Sequence, residues 1–237
     1  MISFRVMKSK KVSIIVPVFK EFNIEHFVFK LLHKVQNHNV EIIIVDGDKS
    51  GSTVSKLEKY DLKTIKSEKG RGTQLKKGAE NSTGDILLFL HADTELPDNF
   101  YSAVTDACAK ISSCGAFSLK IDSKKSVYRV IEFFANFRAK YLQMPFGDQA
   151  IFVERETYFK SGGFSEIPLF EDVDLVGKLK KCRVKIHISK DKVVTSARRW
   201  QNEGVFKTTM CNWYLQILYF VFKIDPHYLK KFYRSHK

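Results

Sequence analysis

The chain has 237 residues, 44% hydrophobic and 28% charged, enough apolar material for one large domain or a domain with an appendage. That balance excludes a disordered chain, a collagen-like chain and a disulfide-stapled mini-protein. Lys and Arg number 40 against 26 Asp and Glu, a formal charge of +14; such a surface either meets an anionic partner (nucleic acid, acidic membrane, phosphorylated ligand) or is solvated without one.

In chain order, residues 12–17 read as a strand, and 24–36 as a helix with Phe27, Leu31 and Val35 at four-residue spacing. A second strand is expected at 40–46, a short helix at 54–60, a short strand at 62–65, a helix at 71–81 and a strand at 85–91. Strands apolar on both faces and separated by helices indicate a parallel sheet buried under helices on both sides. The predicted architecture is α/β, doubly wound and mostly parallel, with ligands beyond the carboxyl ends of the strands. Residues 17–21, 46–50 and 91–95 each follow a strand and are the first candidates for a site.

The second half is less regular. A strand is expected at 116–121, then a helix at 127–141 with Val127, Val130, Ile131, Phe134, Phe137 and Tyr141 on one stripe. A strand at 149–153, a helix, the turn Gly162-Gly163 and a helix at 172–181 follow, then short strands at 184–188 and 193–196. Residues 205–224 read as one very apolar helix, and Asp225-Pro226 opens a final basic helix. The division that results is a catalytic domain over 1–200 with C-terminal helices over 201–237 packed on it.

Cys108, Cys114, Cys182 and Cys211 form no C-x-x-C pair, which suits free thiols in a reducing cytoplasm better than zinc or disulfides. No secretory leader is read at the N-terminus, and no apolar run approaches the roughly 18 residues of a bilayer span.

Four places offer chemistry. Leu90-His91-Ala92-Asp93-Thr94 ends the fourth strand of the parallel series; a carboxylate there could share a hard divalent cation with ligand phosphates and water, or could equally cap the helix after Pro97. Phe170-Glu171-Asp172-Val173-Asp174 puts three carboxylates at a helix start, where capping and the helix dipole alone favour acids, but where a general base could also stand. Ser196-Ala197-Arg198-Arg199-Trp200 offers forked guanidinium groups and a flat ring, or merely a basic patch. Gly70-Arg71-Gly72 leads into a helix without the spacing of a dinucleotide fingerprint; its arginine could still reach a phosphate.

Taken in order, Ile14-Ile-Val-Pro17-Val-Phe19-Lys20-Glu21, Ile43-Ile-Val-Asp46-Gly47, Gly70-Arg71-Gly72, Phe89-Leu-His91-Ala-Asp93-Thr94, Phe170-Glu171-Asp172 and Arg199-Trp200 resemble family 2 glycosyltransferases of the GT-A fold. More narrowly they resemble the small soluble branch that carries His-Ala-Asp-Thr, the radical-SAM/selenodomain-associated transferase 2 group. The resemblance spans residues 10–235 and implies an inverting transfer of sugar from a nucleotide-diphosphate sugar to an acceptor hydroxyl. It implies that Pro17, Phe19 and Glu21 line the nucleotide pocket, that Asp46 contacts the base or ribose, and that Arg71 faces the nucleotide. It implies Asp93 as the metal and sugar-diphosphate ligand, Asp172 as the general base with Glu171 beside it, and Arg199 and Trp200 near the diphosphate and acceptor. His91 stands where the family's motif has its first Asp; as a softer neutral ligand beside Asp93 it favours Mn2+ over Mg2+. Lys20 replaces the usual Asn, and Ser196 stands at the Gln of the last motif.

The apolar helix at 205–224 suits packing on its own domain, a homodimer contact, or an interfacial contact with anionic membrane. From Arg198 to Lys237 there are eight basic and two acidic residues, which favours an anionic surface and with it a glycan or lipid-linked acceptor, on a cytoplasmic protein peripheral to the inner face of the membrane. Two other classes fit less well. A nucleotidyltransferase of similar fold normally carries a Gly-rich basic loop after its first strand, where Pro17 to Glu21 stand here. A non-catalytic nucleotide or nucleic-acid binder would need clustered basic and aromatic residues, and no nucleic-acid partner is expected.

Overall fold

The computed structural model describes residues 9–233. The reading of the extreme N-terminus and the last basic residues, Arg234 and Lys237, lie outside them.

The elements are β1 (Val12–Val18), α1 (Ile24–Val35), β2 (Val40–Asp46), β3 (Lys63–Lys66), α2 (Arg71–Glu80), β4 (Ile86–Phe89), β5 (Thr94–Glu95), α3 (Phe100–Lys110), β6 (Cys114–Asp122), α4 (Ser126–Tyr141), β7 (Phe152–Glu154), α5 (Arg155–Lys160), α6 (Glu171–Lys181), β8 (Ile186–Ser196), α7 (Arg198–Glu203), α8 (Val205–Phe220) and α9 (Pro226–Leu229). Short 3-10 turns occur at Val54–Leu57 and Gly147–Gln149.

One sheet of eight strands runs β3-β2-β1-β4-β7-β6-β8-β5. The first four strands are mutually parallel. β7 then runs antiparallel between β4 and β6, and β8 returns parallel to β6. The β-branched runs of β1 and β2 alternate between two cores, as a period of two requires. Ile14, Val16, Ile42 and Ile44 face α1, α3 and α4 with Leu31, Phe100 and Tyr128. Ile15, Ile43 and Val45 face α2, α5 and α6 with Leu75, Tyr158 and Leu179. A third, small cluster joins Leu169 to Leu215 of α8 and Leu229 of α9.

Three expectations change. The strands predicted at 184–188 and 193–196 are one continuous strand, β8, bent where its register with β6 slips between Ala116 and Ser118. The long apolar helix is preceded by a separate helix, α7, and ends at Phe220. The apolar stripe of α4 is not the face that it buries. Tyr128, Glu132, Ala135 and Ala139 face the sheet, whereas Val130, Phe134 and Phe137 remain largely exposed. Among the described residues no helix is long and apolar enough to cross a membrane.

Candidate active site

The parallel strands β1 and β2 end together, and the buried Gln74 of α2 pins their ends. Its Nε2 donates to the carbonyl oxygens of Val18 and Val45, at 2.8 and 2.7 Å. Pro17 is half-buried opposite Val45. Phe19 lies under the Lys69 ammonium, 4.0 Å from its ring centroid. Asp46 is fully buried. Its Oδ1 accepts from the Asp48 N–H at 2.9 Å, and its Oδ2 accepts from the Thr53 and Val54 N–H groups at 2.9 and 3.2 Å. With both oxygens accepting from backbone N–H groups, Asp46 shapes the 47–54 loop.

Past β4, β5 pairs with the end of β8, and the Ser196 N–H donates to the Asp93 carbonyl at 3.0 Å. That pairing brings the 196–200 segment beside Asp93, whose side chain is exposed. Glu21, Asp93, Ser196 and Arg198 share a cavity of about 320 Å³ against α1, with Arg198 4.0 Å from Glu21.

Asp172 sits in the first turn of α6. Its Oδ2 accepts from the Gly147 N–H at 2.6 Å and its Oδ1 from the Val173 N–H at 2.8 Å, which fixes the carboxylate plane. His91 approaches the same side of Gly147. A Cβ at Gly147 would stand 2.8 Å from His91 Nε2 and 3.4 Å from Asp172 Oδ2, so a larger residue there would crowd the imidazole. Next to it, burial and the charges of Asp172 and Asp93 push the Asp148 carboxyl up to about 6, against the pull of Arg138 and Arg71. Asp93 and Asp172, 79 positions apart, both lie near enough to Asp148 to act on its carboxyl.

The basic side chains near these carboxylates come from three segments, at 69–71, 199 and 230. Arg71 Nε donates to Glu171 Oε1 at 2.7 Å, with the Glu171 side chain 3% exposed. Burial raises the Glu171 carboxyl above its ordinary value, and Arg71 pulls it back. The same pairing holds the Arg71 guanidinium firmly charged. Gly72 is required here as well: a Cβ would collide with the Ser165 carbonyl, and α2 could not close on the segment leading to Glu171. Arg199 donates to the Tyr233 hydroxyl at 2.5 Å and lies over its ring. Burial and the charges of Arg71, Lys69 and Arg199 depress the Lys230 ammonium. Cations crowded tightly enough to disfavour one another form a seat for a polyanion.

The Glycosyl transferase family 2 profile matches residues 13–164. The chain is a family 2 glycosyltransferase. A dolichol-phosphate mannosyltransferase of Pyrococcus furiosus is 30% identical over 104 residues, covering 41% of this glycosyltransferase and 30% of the relative; the chain thus matches less than a third of that relative's length. Among solved structures, the S. aureus TarS 1-349 structure superposes with a TM-score of 0.59 at 18% identity, over 94% of this chain and 69% of that one. The mannosyltransferase PcManGT of Pyrobaculum calidifontis, solved with GDP-Man and Mn2+, gives 0.61 at 18% identity over 79% and 57%. The shared fold is GT-A.

Of the residues singled out in the glycosyltransferase's sequence, Arg71 pairs with Glu171 and feels Asp172, His91 and Asp172 meet at Gly147, Arg199 joins Arg71 around Lys230, and Asp93 shares its cavity with Glu21. Trp200 does not face the basic seat. It packs edge-on to Tyr128, 6.0 Å between ring centroids, on the α4 side. Sequence reasoning passed over Asp148, Arg138, Lys230 and Tyr233. The one available signal was Gly147-Asp148-Gln149, a polar triplet beginning with glycine ahead of an apolar strand.

Among the described residues no group of three or more His, Cys, Asp or Glu is placed to hold a metal ion. A lone exposed carboxylate such as Asp93 suits a cation that brings most of its shell as diphosphate oxygens and water.

Proposed function

We propose that this glycosyltransferase takes its sugar from a nucleoside-diphosphate sugar and transfers it with inversion to an acceptor hydroxyl, with Asp172 as general base. The observation that carries the reading is the Gly147 N–H that holds the Asp172 carboxylate beside His91, with the cations Arg71, Lys69, Arg199 and Lys230 near enough to act on one another. PcManGT, with its bound GDP-Man and Mn2+, supports the donor class and a divalent cation.

Pro17, Phe19 and Glu21 line the nucleotide end, and Asp46 serves it by holding the 47–54 loop. Arg71, Arg199 and Lys230 receive the diphosphate. Asp93 would hold Mn2+ or Mg2+, which supplies positive charge to the departing diphosphate when bound. His91 belongs with Asp172 rather than with the cation, because its Nε2 faces the Gly147 backbone. Asp172, its plane set by the Gly147 and Val173 N–H groups, takes the proton from the acceptor hydroxyl. The freed oxygen bonds to the anomeric carbon as the bond to the diphosphate breaks on the opposite face, so the configuration inverts. Glu171, its Oε1 on Arg71, holds that arginine toward the diphosphate beside Asp172.

Titration with nucleoside diphosphates by calorimetry, with and without Mn2+, tests the donor half. Binding should depend on the metal, and Asp93→Ala should cut affinity at least tenfold in its presence. Metal-independent binding unchanged by Asp93→Ala would overturn the assignment.

A further inference from the structure

After α8 the chain returns to the site and is fastened there. Leu229 of α9 is fully buried in one cluster with Leu169 and Leu215. The Asp225 side chain caps α9 by accepting from the His227 N–H at 2.6 Å. That anchoring brings Lys230 and Tyr233 to the cations at 69–71 and 199.

Tyr233 meets three of those cations. Arg199 Nη1 donates to its hydroxyl at 2.5 Å, and the guanidinium carbon lies 4.6 Å from its ring centroid. The Lys230 ammonium lies 5.2 Å from the same centroid. Arg71 is near enough to act on the same residue. Cations this close repel one another, and an aromatic face with a phenol oxygen at its edge offsets that repulsion before any ligand arrives.

Arg199 is held from two sides and open on the rest. Its Nε lies 3.4 Å from Glu203 Oε1, and one Nη1 hydrogen is on Tyr233. Of its five N–H groups, the other three have no acceptor among the described residues. The Arg71 and Arg199 side chains are 43% and 36% exposed, so a dissolved anion reaches them. Two cations fixed on one ring suit two linked phosphates, each with its own partner, better than one phosphate.

We propose that Tyr233 is the positioning residue that makes Arg199 and Lys230 a clamp for a diphosphate, holding both cations on one ring in advance of the ligand and setting a preference for a diphosphate over a single phosphate. This rests on the glycosyl-transfer reading above and adds to it a residue outside every motif that carries the resemblance.

The probe is inorganic pyrophosphate, which brings neither base nor sugar, titrated by calorimetry at low salt without added metal and compared with inorganic phosphate. The wild type should bind pyrophosphate saturably and phosphate at least about tenfold more weakly. Tyr233→Phe keeps the ring and removes the hydroxyl. It should weaken pyrophosphate by about fivefold, leave phosphate within about twofold, and leave the melting temperature unchanged. Tyr233→Leu also removes the aromatic face and should weaken pyrophosphate by about twentyfold in all. Packing alone would not couple the tyrosine to Arg199. Once Arg199→Ala has removed the guanidinium, adding Tyr233→Phe should cost less than about twofold.

Four results would overturn the proposal: no saturable pyrophosphate binding by the wild type, phosphate binding as tightly, Tyr233→Phe matching the wild type, or losses that simply add in the double variant. A Tyr233→Phe protein whose melting temperature falls with its affinity would make the tyrosine structural only. Titration of the same samples with UDP, GDP, CDP, ADP and dTDP in the presence of Mn2+ separates the two readings. Pyrophosphate binding that depends on Tyr233, with none of the nucleoside diphosphates bound, keeps the clamp and removes the transferase reading. Nucleoside-diphosphate binding indifferent to Tyr233→Phe keeps the transferase reading and removes the clamp.

Discussion

The two ends of the parallel sheet treat a carboxyl group in opposite ways. At the amino end, Glu41 accepts from the Ser13 hydroxyl, from the Thr83 N–H and hydroxyl, and from Lys11. Burial would raise it, but those hydrogen bonds and the Lys11 charge take it down to about 2. At the carboxyl end, Asp148 has an oxygen with no partner and is pushed up to about 6. Asp46, also at the carboxyl end, is spent on the fold as Glu41 is; Asp148 is not. Unsatisfied groups cluster where a protein works, and here they cluster where parallel-sheet geometry already locates ligands.

The largest test of this contrast is chemical. Asp172→Asn should lower kcat by about a thousandfold while donor affinity stays within twofold, because a general base contributes in the range of 10²–10⁴. Transfer assays beside calorimetry would show the split, and a parallel loss of donor affinity would mean that Asp172 is structural like Glu41.

Next comes the amino end. Glu41 has a folded value below its unfolded one, so its stabilisation is present above about pH 4 and disappears as the pH falls through about 2. Glu41→Gln should therefore cost about 2 kcal/mol in urea unfolding at pH 7, a penalty that shrinks toward pH 2.

Asp148 should show the opposite sign with a smaller size. Its folded value lies above its unfolded one, so wild type loses stability as the pH rises from about 4 through about 6. Asp148→Asn should be more stable than wild type by about 1–2 kcal/mol above pH 6, with no difference below pH 4; the partial exposure of Asp148 keeps the gain under the full linkage value. Melting curves across pH 4–8 measure it, and a variant that is less stable at pH 7 would erase the contrast.

Much of the amino-terminal half could be read directly. Runs such as Ile14-Ile15-Val16 and Ile42-Ile43-Ile44 are buried on both faces, so composition alone marks them as inner parallel strands, and strand ends then mark Asp93. Asp172 was legible as an acid at a helix start, though that reading competed with simple capping. The rest depended on contacts that no local pattern encodes. Phe134 and Phe137 look like core residues by spacing, yet α4 turns Tyr128, Ala135 and Ala139 inward, on the face where Glu132 and Asn136 hydrogen-bond the backbone of β6. Lys230 and Tyr233 reach Arg71 and Arg199 only through the return of the chain after α8. Asp148 gives no signal beyond its glycine neighbour, since what distinguishes it is the absence of a partner in three dimensions.

Phe170, immediately ahead of the acidic pair, adopts a left-handed backbone with φ at +63°, and its ring stacks on Tyr219 of α8 at 4.7 Å. A side chain with a Cβ enters that conformation at a cost of about 1–2 kcal/mol, here offset by the stacking. The aim of Glu171 and Asp172 is thereby tied to the tail of the chain. Chimeras built to swap acceptor preference would re-aim Glu171 and Asp172 whenever the splice falls between α7 and α8; a junction ahead of Leu169 carries ring, turn and acids across as one piece.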